Sequence, residues 1–104
     1  MPDTVTLERP RQATRLAPRW HVVLLDDEDH TYDYVIDMLI RLFGHDEARA
    51  YQMAVEVDTL GRVIVDTTSR ERAELKQEQI HGYGPDPRIP RCAGSMTAEL
   101  EPAE

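Results

Sequence analysis

Trp20 to Leu25, WHVVLL, is almost continuously apolar and β-branched, which predicts a short strand buried on both faces and central in its sheet. The run stops at four consecutive carboxylates, Asp26, Asp27, Glu28 and Asp29. After His30 and Thr31 the period changes. Val35, Met38, Leu39, Leu42 and Phe43 fall at i, i+3, i+4, i+7 and i+8, predicting an amphipathic helix over Thr31 to Phe43. Thr31 is its candidate cap, Asp33 complements its dipole, Asp37 and Arg41 pair at i, i+4, and Gly44 can end it. His45 and Asp46 open a second helix with the face Ala50, Met53, Ala54 and Val57, closed at Gly61. Arg62 to Thr67 is a second strand by β-branching. Thr68 and Glu71 have capping-box spacing for a third helix ending near Gly82, whose sparse apolar positions, Ala73 and Ile80 with Leu75 and Tyr83 as further candidates, predict a surface-lying element. Gly82 to Arg91 carries three prolines and excludes regular structure. Ser95 to Glu101 alternates Met96, Ala98 and Leu100 inward as a third strand. The order βααβαβ predicts an α/β (α+β) fold, a small three-stranded antiparallel sheet with helices packed on one face.

A chain of 104 residues holds one modest core. Met1 to Pro18, with prolines at 2, 10 and 18 and no apolar period, reads as a disordered arm, so the expected division is an extension over 1–19 and a domain over 20–104. The single Cys92 cannot form an internal disulfide, and no apolar run approaches the roughly 20 residues that span a bilayer. A cytoplasmic monomer is the expectation. Charge sharpens the picture. Four arginines against two acids in the first nineteen residues make the remainder more negative than the whole chain's −8. Such a surface repels nucleic acid and anionic membrane and attracts cations, basic peptides and free amino termini.

The acidic turn is the candidate site, because crowded carboxylates cost free energy unless a cation answers them. VVLLDDED is similar to the opening strand of a receiver domain, with Asp66 as a phosphoacceptor, but only 38 residues follow Asp66 and they cannot supply the remaining βα units. A metal site built on Asp26, Asp27, Asp29, His30 and His45 lacks the Gly and bidentate Glu of a calcium loop and the His or Cys spacing of a zinc site. A solvated turn without a partner is the plain alternative. The third candidate is a receptor for a peptide's α-ammonium group, whose three donors and positive charge suit paired carboxylates, beside an aliphatic hole formed by Val35, Ala54 and Val57. For the other groups the sequence implies no chemistry: His21, His45 and His81 have no ligand-like partner, and Cys92 has no base implied nearby.

LLDDED, TYDYV, RAYQMAVEVDTLGR and TSRERAELK, in this order and spacing over Trp20 to Lys76, resemble the ClpS adaptors of Clp AAA+ proteases. The resemblance implies an adaptor, not an enzyme and without cofactor or metal, that binds proteins beginning with Leu, Phe, Tyr or Trp. It would hand them to the unfoldase ClpA or ClpC for degradation by ClpP. Position by position, it implies that Asp27 holds the α-amino group and that Val35 and Val57 line the side-chain pocket with Thr31, Tyr32 and Ala54. It also implies that Glu71 and Lys76 dock on the unfoldase's N-terminal domain, and that the N-terminal arm engages the unfoldase during hand-off. Asp26 stands where that family usually has Asn, Asp58 where it has His, and Tyr32 and Ala54 where it has Met. Two donors are thereby replaced by carboxylates, so the amine would be met by Asp26, Asp27 and Asp58, at least one with a raised pKa in the empty protein. The alternative function is a relative that docks on the unfoldase without a working pocket and acts as a regulator.

Overall fold

The apolar character of β1 (Arg19–Leu25) leaves it no solvent-facing edge, and it takes the middle of the sheet, ordered β2-β1-β3. Strands β2 (Arg62–Ser69) and β3 (Thr97–Pro102) both run antiparallel to it. Helices α1 (Tyr32–Phe43) and α2 (Glu47–Leu60) separate β1 from β2, and α3 (Arg70–His81) separates β2 from β3. The computed structural model describes residues 17–103. The expected N-terminal arm, through residue 16, lies outside the described residues, and Arg19, placed in that arm from sequence, already belongs to β1.

One face of the sheet carries Val22, Leu24, Val63, Val65 and Ala98 against Met38 and Leu39 of α1, Ala50, Met53, Ala54 and Val57 of α2, and Ala73 and Ile80 of α3. The expected antiparallel sheet with its helices on one face is therefore present. Val65 is an extra residue in the β1–β2 ladder, since Val22 pairs with Asp66 and Val23 with Ile64. Its carbonyl is taken up by His45 Nε2 at 2.8 Å. On the outer edge of β3, Gln77 donates to Ala98 O (2.9 Å) and His81 accepts from Ala98 N (3.0 Å), so α3 covers that edge.

Three boundaries differ from the sequence expectation for physical reasons. Ladder pairing continues through Trp20↔Thr68 and Arg19↔Ser69, which holds Thr68 extended. Ser69 instead caps α3, its hydroxyl accepting from Arg72 N at 3.3 Å. At the far end, Ser95 is held in the loop by its hydroxyl, which accepts from Gly84 N at 2.6 Å, and β3 begins two residues later. The face of α3 is completed by Lys76, only 8% exposed. Its ammonium donates to Leu42 O and Gln79 Oε1 and lies 5.4 Å from the Phe43 ring, a cation at the C-terminal end of α1.

The proline-rich loop is pinned to α1 by Asp86, which is 1% exposed. Its Oδ2 accepts from Thr31 N (2.7 Å) and Thr31 Oγ1 (2.8 Å), and its Oδ1 accepts from Arg88 N (3.0 Å) and Arg88 Nη1 (3.2 Å). Burial alone would raise its pKa, but these four bonds outweigh burial and lower it from 3.8 to about 2. A depressed carboxylate stabilises the fold fully above its unfolded pKa, and that contribution is lost as pH falls from about 4 to about 2. Asp86→Asn is therefore expected to lower unfolding free energy by about 2 kcal/mol at pH 7. In urea titrations the difference from the parent chain should shrink as the pH approaches 2; a difference constant with pH would contradict this account.

Candidate functional site

The acidic turn after β1 is tied to the end of α2 by one backbone bond, Asp26 N to Gly61 O at 3.0 Å. Gly61 ends α2 in the left-handed region (φ 86), which glycine enters without steric cost, and its N–H closes on Val57 O. Asp58 lies one turn before that glycine and so comes up beside Asp26. It sits in the last turn of α2, which contains no basic residue, where a carboxylate adds to the helix's own negative end. Partial burial first, and the Asp58 charge second, push the Asp26 carboxyl above the ordinary range. Among the described residues neither Asp26 nor Asp58 has a cationic partner.

Asp27 is held differently. Its Oδ1 accepts from Asp29 N at 2.9 Å, an Asx turn, and from His30 Nδ1 at 2.6 Å. The His30 side chain is 3% exposed, its other ring nitrogen meets Gly94 O at 2.8 Å, and its ring packs 4.5 Å from that of Tyr34. Both of the ring's partners, a carboxylate and a backbone carbonyl, can only accept. Asp27 Oδ2 makes no hydrogen bond among the described residues.

Beside the carboxylates lies a small hollow that is partly open to solvent. Its wall includes all eight residues expected to form the pocket, with Asp26, Asp27 and Asp58 supplying charge, Val35, Ala54 and Val57 the apolar surface, and Thr31 and Tyr32 the start of α1. Thr31 is the observed N-cap, accepting from Tyr34 N at 3.2 Å. Tyr32, 37% exposed, donates its hydroxyl to Asp58 Oδ2 at 2.7 Å and so links α1 to α2 beside the cavity. That bond first, with burial and neighbouring negative charge behind it, pushes the phenol pKa up to about 12.

Two lining residues were not assigned to the pocket from sequence, His30 and Met96. Met96 carried a signal, its inward place in the alternation of the last strand. The sequence marks His30 only as a candidate metal ligand, and its contact with Gly94 depends on chain 64 residues away. The same loop corrects the expectation that Cys92 has no nearby base, for its Sγ lies 3.4 Å from His30 Nε2. The thiol also donates to Gly94 O (3.3 Å) and accepts from Asp86 N (3.2 Å), which ties it into the loop. Of the two expected docking residues, Glu71 is exposed in the first turn of α3, whereas Lys76 is buried and occupied within the fold, so it does not present a free cation. His21, His45 and His81 each bond within the sheet layer. Among the described residues no three His, Cys, Asp or Glu side chains gather as a metal site.

The family model described as ATP-dependent Clp protease adaptor protein ClpS matches residues 15–87. The ATP-dependent Clp protease adapter protein ClpS of Hydrogenovibrio crunogenus is 39% identical over 88 residues, 85% of this chain and 85% of that protein. Its counterpart in Vibrio cholerae is 37% identical over 82 residues, 79% of this chain and 77% of that protein. That of a Ruegeria species is 33% identical over 81 residues, 78% and 72% of the two chains. The structure of Agrobacterium tumefaciens ClpS2 bound to L-phenylalaninamide matches with a TM-score of 0.71 at 21% identity, covering 83% of this chain and 98% of that one, and shows the same fold.

The Tyr32–Asp58 bond makes a direct spectroscopic prediction. In the parent chain Tyr32 should remain protonated at pH 11, and Asp58→Asn, which removes the charged acceptor, should bring its ionisation back towards 10. Phenolate absorbance at pH 11 is expected to rise by about one tyrosine in that variant; identical titrations would contradict the bond.

Proposed function

This chain belongs to the ClpS family of ATP-dependent Clp protease adaptors, and from that premise we propose that it captures proteins by their free N-terminal residue and delivers them to a Clp AAA+ unfoldase. The observation that carries the reading is the cavity itself, with three carboxylates above an aliphatic wall and no cation from the described residues answering Asp26 or Asp58. An α-ammonium brings charge and three donors to that corner, while the first side chain enters the hollow between Val35, Ala54 and Val57. Large hydrophobic first residues, Leu, Phe, Tyr or Trp, are the fitting class.

Magnitudes show why both halves are needed. Burying one such side chain contributes about 1.5–3 kcal/mol. Micromolar binding requires about 8 kcal/mol, so contacts to the amine and the peptide backbone must supply the larger part. Acetylating the amine removes its charge and a donor, and leaves crowded carboxylates facing a neutral amide. A formed hollow supports capture over the alternative of a regulator that only docks.

In this reading the partner is the N-terminal domain of a ClpA- or ClpC-type unfoldase, approached through the exposed first turn of α3 around Glu71. Lys76 enters only through its support of α1. The chain works as a cytoplasmic monomer, without cofactor, and performs no chemistry of its own.

Fluorescence anisotropy with a peptide beginning in Phe or Leu tests the reading. The free peptide should bind in the micromolar range or tighter, its N-acetylated twin about 100-fold more weakly, and Asp27→Ala should reduce binding of the free peptide at least tenfold. Equal weak binding of both peptides would favour the regulator instead.

A further inference from the structure

The loop between α3 and β3 is fastened to the acidic turn at three points. Asp86 holds Thr31, as described above. Arg91 donates from Nε to Asp29 Oδ1 (3.0 Å) and from Nη2 to Glu28 O (3.1 Å). Gly94 O accepts from His30 Nε2 at 2.8 Å, and through the opposite nitrogen of the same ring the loop reaches Asp27. Among the described residues, His30 is thus the one side chain that touches both the loop carbonyl and the carboxylate expected to meet the amine.

We propose that His30 is a positioning residue for N-terminus capture, and that the proline-rich loop acts through it as a working part of the receptor. The inference rests on the capture reading and adds to it the residue that fixes the direction of Asp27. A carboxylate on its own turns broadly about its last torsion. Here the Asp29 amide and the imidazole both hold Oδ1, which fixes the carboxylate plane and leaves Oδ2 for a ligand. The ring cannot swing away, because it is buried, packed on Tyr34 and held from behind by Gly94 O. Holding the receptor atom in place before the ligand arrives reduces the ordering cost of binding. Asp26 and Asp58 remain to attract the ammonium, so direction is gained without losing the field.

The experiment compares His30→Ala, His30→Asn and His30→Gln in the full chain, by anisotropy with the free and N-acetylated forms of one Leu-initiated peptide. The Asn amide nitrogen stands where Nδ1 stands and keeps the donor to Asp27; the Gln amide nitrogen stands nearer Nε2 and keeps only the reach to Gly94. Expected results are about a tenfold loss of free-peptide affinity in His30→Ala, no change for the acetylated twin, and recovery to within about threefold of the parent in His30→Asn but not in His30→Gln. Should His30→Ala fail to fold, the order of Asn above Gln decides the matter, and equality of the two overturns the proposal. So does a His30→Ala variant that binds like the parent, or one that weakens both peptides equally. A parent chain that does not distinguish the free from the acetylated peptide overturns the capture reading and this inference together, whereas discrimination by the parent with an unchanged His30→Ala overturns positioning alone.

Discussion

Where β1, α1 and α2 meet, three carboxylates line one hollow, and among the described residues no Lys or Arg pairs with any of them. Sequence builds this corner by ordinary means. An apolar strand ends in acids, a glycine ends α2 next to it, and one backbone bond from Asp26 to Gly61 sets the two in register. The arrangement is unfavourable in the empty protein, as the raised Asp26 carboxyl shows, and Asp58 stands at the wrong end of its helix for the dipole. Uncompensated charge of this kind persists where a ligand relieves it. The rest of the molecule is arranged to hold the corner still, with α1 capped by Thr31 and Asp86, α2 closed by Gly61, and the long loop fastened across the acidic turn.

Two positions shift the chemistry from donors to charge. At Asp26 and Asp58 the family resemblance leads one to expect an amide and an imidazole, which could donate to peptide carbonyls; carboxylates cannot. The corner therefore attracts an amine strongly and directs it weakly, unless something else supplies direction. Tyr32 restrains Asp58 from one side, and His30 restrains Asp27 from the other. In both cases a side chain at the start of α1 orders a carboxylate that the ligand would otherwise have to order itself.

Much of this was legible in the chain. The strand, the 3.6-residue stripe of α1 and the glycine stops gave the element order, and the order with its short connections gave the sheet. The acids after β1 with Val35, Ala54 and Val57 marked the site from pattern alone, and the family resemblance added Thr31, Tyr32 and Asp58. Long-range pairing was harder to read. Thr68 looks like a cap until its ladder with Trp20 is known, and Lys76 looks like a surface cation until it is seen reaching Leu42 O. Residues 82–94 have no period at all, so the contacts of Asp86, Arg91 and Gly94 could not be derived from pattern. The match to the family model also ends at residue 87, within that loop.

The central claim is that this negative corner holds a chain's first ammonium group. The most direct measurement is a crystal structure of the protein with a short Phe-initiated peptide. The account predicts the α-amino nitrogen within hydrogen-bonding distance of Asp27 Oδ2, with the phenyl ring between Val35 and Val57. A peptide bound elsewhere, or one whose amine points to solvent while its side chain occupies the hollow, would contradict it.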